Sequence, residues 1–227
     1  MTTEKKEFWK KYKRQYNQPL DPIDRLSELI YGVIMTLTFT CTISLATAGQ
    51  QEIKTALWAA LGCNTAWGII DALVILMGNI FDRGKRFKLL SSLHKANDTQ
   101  SANAILKEAF PPIVAEIIKP NQLDNIRKNL LELPEPPKKA FVNIYDIKNA
   151  IIVFLLVVIS TFPVAFPFII ISEPIVAHRL SNAVALLLLF SFGFFLGRKT
   201  YYNPTIMGLG FMILGGLLVL MTIALGG

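Results

Sequence analysis

The sequence predicts an all-α integral membrane protein: five transmembrane helices, with a helical cytoplasmic insertion between the second and third. Three observations predict it. The hydropathy falls in blocks of about 20 residues, the length that crosses a bilayer's hydrocarbon core. Hydrophobic residues make up 52% of the chain and charged residues 17%, below the roughly one quarter typical of soluble domains. The charges that remain lie mostly between the apolar blocks.

Residues 1–25 form the first region, basic and amphipathic. Phe8, Tyr12 and Tyr16 recur at helical spacing beside Trp9 among lysines and arginines. Such a segment lies on the inner membrane surface against anionic lipid or remains a basic tail. It contains no apolar core of a cleavable signal. Pro19 and Pro22 end it, and Asp21 or Asp24 caps the helix that follows.

Residues 26–80 hold spans one and two. The first, about 26–48, carries Thr36, Thr38, Thr40, Thr42 and Ser44. On a helix, Glu28, Tyr31, Met35, Thr38, Thr42 and Gly49 share a face. The hydroxyls either line a path or bond back to carbonyls of their own or neighbouring helices. The second span, 56–80, has a single formal charge, Asp71. An acid at mid-bilayer costs a few kcal/mol, of order 3, and normally faces a bundle interior or a water-filled path. Asn64, Gly68, Asp71, Ile75 and Gly78 fall in one stripe of that helix.

Residues 81–146 form the cytoplasmic insertion, with helical patterns over 82–97, 102–118 and 122–133. The second is interrupted at Pro111 and Pro112, and Pro134, Pro136 and Pro137 make a stiff linker. Residues 147–227 hold spans three to five. Pro163 and Pro167 mark a kink or break in the third. Gly193 and Gly197 in the fourth and Gly208, Gly210, Gly215 and Gly216 in the fifth permit close helix packing.

The net charge of +7 reads as topology rather than as a nucleic-acid surface. Residues 1–25 carry seven Lys and Arg, 82–148 carry twelve and 198–199 carry two, while Lys54 and Arg179 stand alone in the other connections. By the positive-inside rule the N-terminus, the insertion and the last turn are cytoplasmic, and five spans leave the C-terminus on the opposite side of a cell or inner membrane.

No enzymatic arrangement is visible. His94 and His178 have no ligand-spaced partner, Cys41 and Cys63 read as packing residues, and no phosphate loop, HExxH or nucleophile elbow occurs. The remaining candidates suit an ion. Asp71, Asn64 and Glu28 offer hard oxygen, Thr38 and Thr42 hydroxyls, and Met35 and Met77 soft sulfur for reducible metals. Asp71 binds a cation, relays a proton, or makes a structural hydrogen bond. Glu108 and Glu116 in the insertion are further metal candidates or solvated helix faces. No tightly bound cofactor is expected.

The layout, two spans, a helical insertion and three spans with the N-terminus inside, resembles the vacuolar iron transporter family. YGVIMTLTF (31–39), AWGII (66–70) and FPVAFPF (162–168) stand where that family has its motifs of spans one to three. Its transport acids fall on Met35 and Ile69 here, and its methionine on Met77. The resemblance implies a homodimer, a metal path lined by spans one and two at the dimer interface, and a divalent cation of the iron or manganese class as cargo. A non-transporting adaptor or sensor, whose basic insertion binds a partner or anionic lipid, is the competing expectation.

Overall fold

The structure is a computed structural model that describes residues 3–15, 19–42 and 50–225. The described residues form ten helices and no strand. Four of these helices are long and apolar enough to cross a membrane: α3 (Gln50–Lys95), α7 (Ile144–Ala165), α9 (Pro174–Lys199) and α10 (Pro204–Ala224). The first expected span is α2 (Pro22–Cys41), whose Asp24, Arg25 and Glu28 lower the hydropathy of its first turns. Tyr16, Ser44 and Gly49 lie outside the described residues. The chain divides into two compact units, Met1–Gln18 with Leu76–Ile147, and Pro19–Ile75 with Lys148–Gly227.

The second of these units is an apolar helix bundle. Asp21 caps α2, accepting from the Ile23 amide at 2.7 Å, and Pro22 takes the first helical position. The face of α2 that packs inward differs from the one the sequence suggested. Ile30, Val33, Leu37 and Cys41 pack with Val164, Ala185 and Leu189. That rotates Glu28, Gly32, Thr36 and Thr40 inward and leaves Tyr31 and Thr42 exposed, with Met35 and Thr38 half-buried. The Thr38 and Thr42 hydroxyls donate to the carbonyls of Met35 and Phe39 on their own helix. Along α3, Asn64 and Gly68 are buried and Asp71 and Ile75 half-buried, as a stripe at helical spacing.

The third expected span is broken where the prolines suggested. Pro163 sits in the last turn of α7, and Pro167 opens a short helix, α8 (Pro167–Ile170). Pro163 removes one amide from the ladder, and the chain restarts where Pro167 fits a first turn. α9 and α10 pack closely through glycine. A Cβ at Gly193 would come within 2.9 Å of the Met207 carbonyl, and one at Gly197 within 2.7 Å of the Pro204 Cα.

The other unit is a polar-surfaced helical body. It contains α1 (Thr3–Gln15), the end of α3, α4 (Thr99–Glu108), α5 (Pro112–Ile117), α6 (Pro120–Glu132) and the start of α7. α3 does not stop at Ile80 but continues to Lys95. No proline interrupts 80–95, and Gly78 and Gly84 face open space, so nothing in the sequence ends the helix. α1 buries Trp9 against Phe87 and Leu90, with Tyr12 and Phe141 alongside, and the Trp9 indole donates to the Glu135 carbonyl at 2.9 Å. Its aromatic side therefore has a protein partner, while Lys6, Lys10, Lys11 and Lys13 stay outside or at the edge. Leu93, Ala102, Leu106 and Leu123 form a second small core.

Candidate functional site

The site is built on the inner face of α2. Four residues of helix, just over one turn, rise about 6 Å, so Glu28, Gly32, Thr36 and Thr40 form a ladder of four steps. At the first step the Glu28 and Asp71 carboxyl groups face each other as hydrogen-bond partners. Glu28 is 8% exposed. Two carboxylates in contact repel unless a proton or a cation lies between them. Asp24, one turn before Glu28, adds a further negative charge on the same side. The pair can therefore hold a shared proton or exchange it for a cation.

At the second and third steps Asn64 is the hub. It is fully buried, and its side-chain nitrogen lies 3.1 Å from the Gly32 carbonyl, 2.9 Å from the Thr36 hydroxyl and 2.6 Å from the Thr161 hydroxyl. Gly32 is required because a Cβ there would overlap the Ser160 hydroxyl, which itself donates to the Val157 carbonyl. At the fourth step the Cys41 thiol donates to Asn182 at 3.5 Å, and the Asn182 amide donates to Nε2 of His178 at 3.0 Å. The His178 ring sits beside the Thr40 backbone.

The sequence named Glu28, Asn64 and Asp71, and the structure brings Glu28 and Asp71 together, with Asn64 two turns along α3 from Asp71. It does not add the other candidates to them. Thr38 and Thr42 bond to their own helix, and Met35 is half-buried away from the inner ladder. Ile69 is 51% and Met77 68% exposed. Glu108 and Glu116 are exposed on the helical body. Ser160, Thr161 and Asn182 are the additions, and Thr36, one of the first-span hydroxyls, is the one that joins them. The inner face of α2 had a signal in the sequence, the four-residue recurrence of Glu28, Gly32, Thr36 and Thr40, masked by the competing alternation of threonines; Ser160, Thr161 and Asn182 on α7 and α9 had none.

Among the described residues, no group of three or more His, Cys, Asp or Glu gathers as a metal site. The Glu28–Asp71 pair supplies two carboxyls, so a cation there completes its shell with water, amide or hydroxyl oxygen, as hard divalent ions accept.

Asp146 is a buried acid the sequence reading passed over. It forms a two-bond ion pair with Arg83, both contacts at 3.0 Å, and accepts from the Asn143 amide at 2.7 Å. Arg83 also donates to the Phe141 carbonyl and stacks on the Phe141 ring. The two-bond geometry pairs the two charges, and the pair reads as a clasp within its unit. The surface acids there are held as carboxylates. The Ser101 amide and hydroxyl keep Asp98 below the usual carboxylate range, and the Asn103 side chain, then Arg127, do so for Asp124.

No protein-family model matches the chain, and no curated protein does.

Proposed function

We propose that this chain is a multi-pass membrane transporter of a divalent metal cation of the iron or manganese class, in which Glu28 and Asp71 form the exchange site for ion and proton. The observation that carries this reading is the contact of two carboxyl groups within a bundle of membrane-length helices. A proton leaving the pair exposes two negative oxygens to an arriving cation; a cation leaving restores the need for a proton. That reciprocity is the elementary requirement of exchange across a membrane.

In this reading α2 is the first of five spans and the N-terminus and the helical body face the cytoplasm. Two copies of the chain assemble as a homodimer, as the resemblance to the vacuolar iron transporter family implies.

The test is uptake of Fe²⁺ and Mn²⁺ into proteoliposomes by the wild type, Asp71→Asn and Glu28→Gln. The expected result is uptake by the wild type and at least a tenfold loss in both variants. Equal uptake by all three removes the pair from the mechanism. No uptake by the wild type sinks the cargo and turns the chain over to the adaptor reading.

A further inference from the structure

The unit formed by residues 1–18 and 76–147 contains a hollow of about 390 Å³ along the extension of α3. Gly84, Lys88, Ser91, Ser92 and Lys95 line it from α3. Their spacing puts them on one side of the helix, over a rise of about 16 Å. The connection between α6 and α7 lines it as well, through Pro136, Pro137 and Lys138. Two consecutive prolines keep that wall extended and stiff. The volume falls within the range of small-molecule sites, roughly 300–1,000 Å³.

The lining carries charge of one sign. Lys88, Lys95 and Lys138 contribute to it, and no carboxylate does. The acids nearest along the chain are engaged elsewhere: Asp82 pairs with Lys85 at 3.7 Å, and Glu135 lines a different hollow with Lys5, His94 and Glu132. Among the described residues, none of the three lysines is paired with a carboxylate. The hydroxyls add donors. Those of Thr55, Thr65, Ser191 and Thr222 are spent on carbonyls of their own helices, whereas those of Ser91 and Ser92 bond to no described residue. One effect opposes an anion here. Lys95 stands in the last turn of α3, and a helix C-terminus carries about half a negative charge. Three whole positive charges outweigh that half charge, so the field in the hollow favours an anion. Gly84 leaves it open, since a Cβ at that position meets nothing within 4 Å.

Ammonium and hydroxyl donors set around one space match a ligand with acceptor oxygens on several sides. A phosphate group offers them, and its charge makes each bond stronger than a neutral one. Lys88 and Lys95 lie two turns apart, about 10 Å along the axis, which suits a phosphate that carries a second phosphate or a polar substituent. We propose that this hollow binds a phosphate-bearing ligand, with Lys88, Lys95 and Lys138 pairing its oxygens and Ser91 and Ser92 donating hydroxyl hydrogens to them. A soluble phosphate compound and the headgroup of an anionic phospholipid share this chemistry. The site lies in a different unit from Glu28 and Asp71 and does not depend on their role in exchange.

The test uses the full chain in nanodiscs of phosphatidylcholine. An amine-reactive ester labels the lysines, and mass spectrometry reads the rate at each one. The exposed Lys107 and Lys128, on α4 and α6, are internal controls. One arm adds inorganic pyrophosphate, matched in ionic strength by sodium chloride. The other replaces part of the phosphatidylcholine with phosphatidic acid. The expected result in at least one arm is labelling about tenfold slower at Lys88, Lys95 and Lys138, with the controls unchanged, because charge-assisted hydrogen bonds occupy those ammonium groups. Protection by pyrophosphate upholds the site and makes its ligand a soluble phosphate. Protection by phosphatidic acid alone upholds it and makes the ligand a lipid headgroup. Protection in neither arm, or equal protection of Lys107 and Lys128, overturns it. Gly84→Leu keeps every lysine and fills the hollow from a helical position that has room for a side chain. It should abolish the protection. Protection that survives in folded Gly84→Leu would mean attraction to an open basic surface, and overturns the site as well.

Discussion

At the scale of single residues, the two buried acids Glu28 and Asp146 have opposite circumstances. Asp146 meets a guanidinium and a backbone amide, so its charge is fully compensated. Removing one partner of such a pair leaves a bare buried charge, at a cost of about 3–5 kcal/mol. Arg83→Met is therefore expected to destabilise the purified protein by about that much. The double variant Arg83→Met/Asp146→Leu should recover part of the loss, not all, because the Phe141 carbonyl and Asn143 amide remain without Arg83 and Asp146. Thermal unfolding in detergent checks both. Glu28 meets another acid, so its compensation must come from a proton or an ion. On the exchange-site proposal, in which the pair acts as one unit, the Glu28→Gln/Asp71→Asn double variant should lose no more cation binding than either single one; calorimetry with Mn²⁺ measures it, and additive losses would mean two separate sites. From the sequence, Asp71 was visible as the lone acid of its span, and Glu28 as an acid near the start of another. Their contact was not visible, because it depends on the rotation of α2, which is set by how Ile30, Val33 and Leu37 pack against α7 and α9.

At the scale of elements, two kinds of glycine lie side by side in α9 and α10. Gly193 and Gly197 allow backbone contact between the two helices, whereas Gly210 and Gly216 face open space. Gly193→Ala places its Cβ against a carbonyl that cannot move without its helix, and should cost about 1–3 kcal/mol. Gly210→Ala should instead be neutral or gain about 0.5–1 kcal/mol, since alanine is the better helix former. Melting temperatures in one detergent separate the two outcomes. The glycine spacing, the proline break between α7 and α8 and the interruption at Pro111 were all legible, because each rests on a local backbone rule. The end of the second span was not. Hydropathy changes at Asp82, but hydropathy reports the surroundings of a helix and not its continuity, and no residue there stops the ladder. Helix α4 carries a pH prediction of its own. The Asp98 cap is held below its usual pKa by Ser101, so its contribution is full above the unfolded value, near 4, and fades as pH falls through the lower folded value. Asp98→Asn retains a capping oxygen without the charge. The wild type should exceed it in stability at pH 7 and lose that advantage on acidification towards pH 3; an advantage independent of pH would mean that the charge plays no part.

At the scale of the whole molecule, the open quantity is the parity of membrane crossings, and α2 decides it. Four helices meet the length and hydropathy of a span without it. If α2 does not cross, residues 1–15 and the α4–α6 body lie on opposite sides, which the packing of Trp9 against Phe87 and Leu90 and its bond to the Glu135 carbonyl argue against. If it crosses, they lie on the same side and the C-terminal end of α10 lies on the other. The charge distribution argues for crossing: residues 1–25 and 82–148 hold nineteen of the 23 Lys and Arg, and the positive-inside rule assigns such segments to one side. The buried face of α2 argues the same way, since Thr36 and Thr40 are as deeply enclosed as Val33 and Leu37, which demands neighbours along the full helix. Replacing Cys41 and Cys63 by serine and introducing single cysteines at Lys10, Asn121, Glu173 and Leu225 turns this into a measurement. An impermeant thiol reagent applied to intact cells should label the cysteines at 173 and 225 and reach those at 10 and 121 only after lysis. Opposite behaviour of the cysteines at 10 and 121 would mean four spans, and would leave Glu28 on a helix that does not cross the membrane beside an Asp71 that lies on one that does.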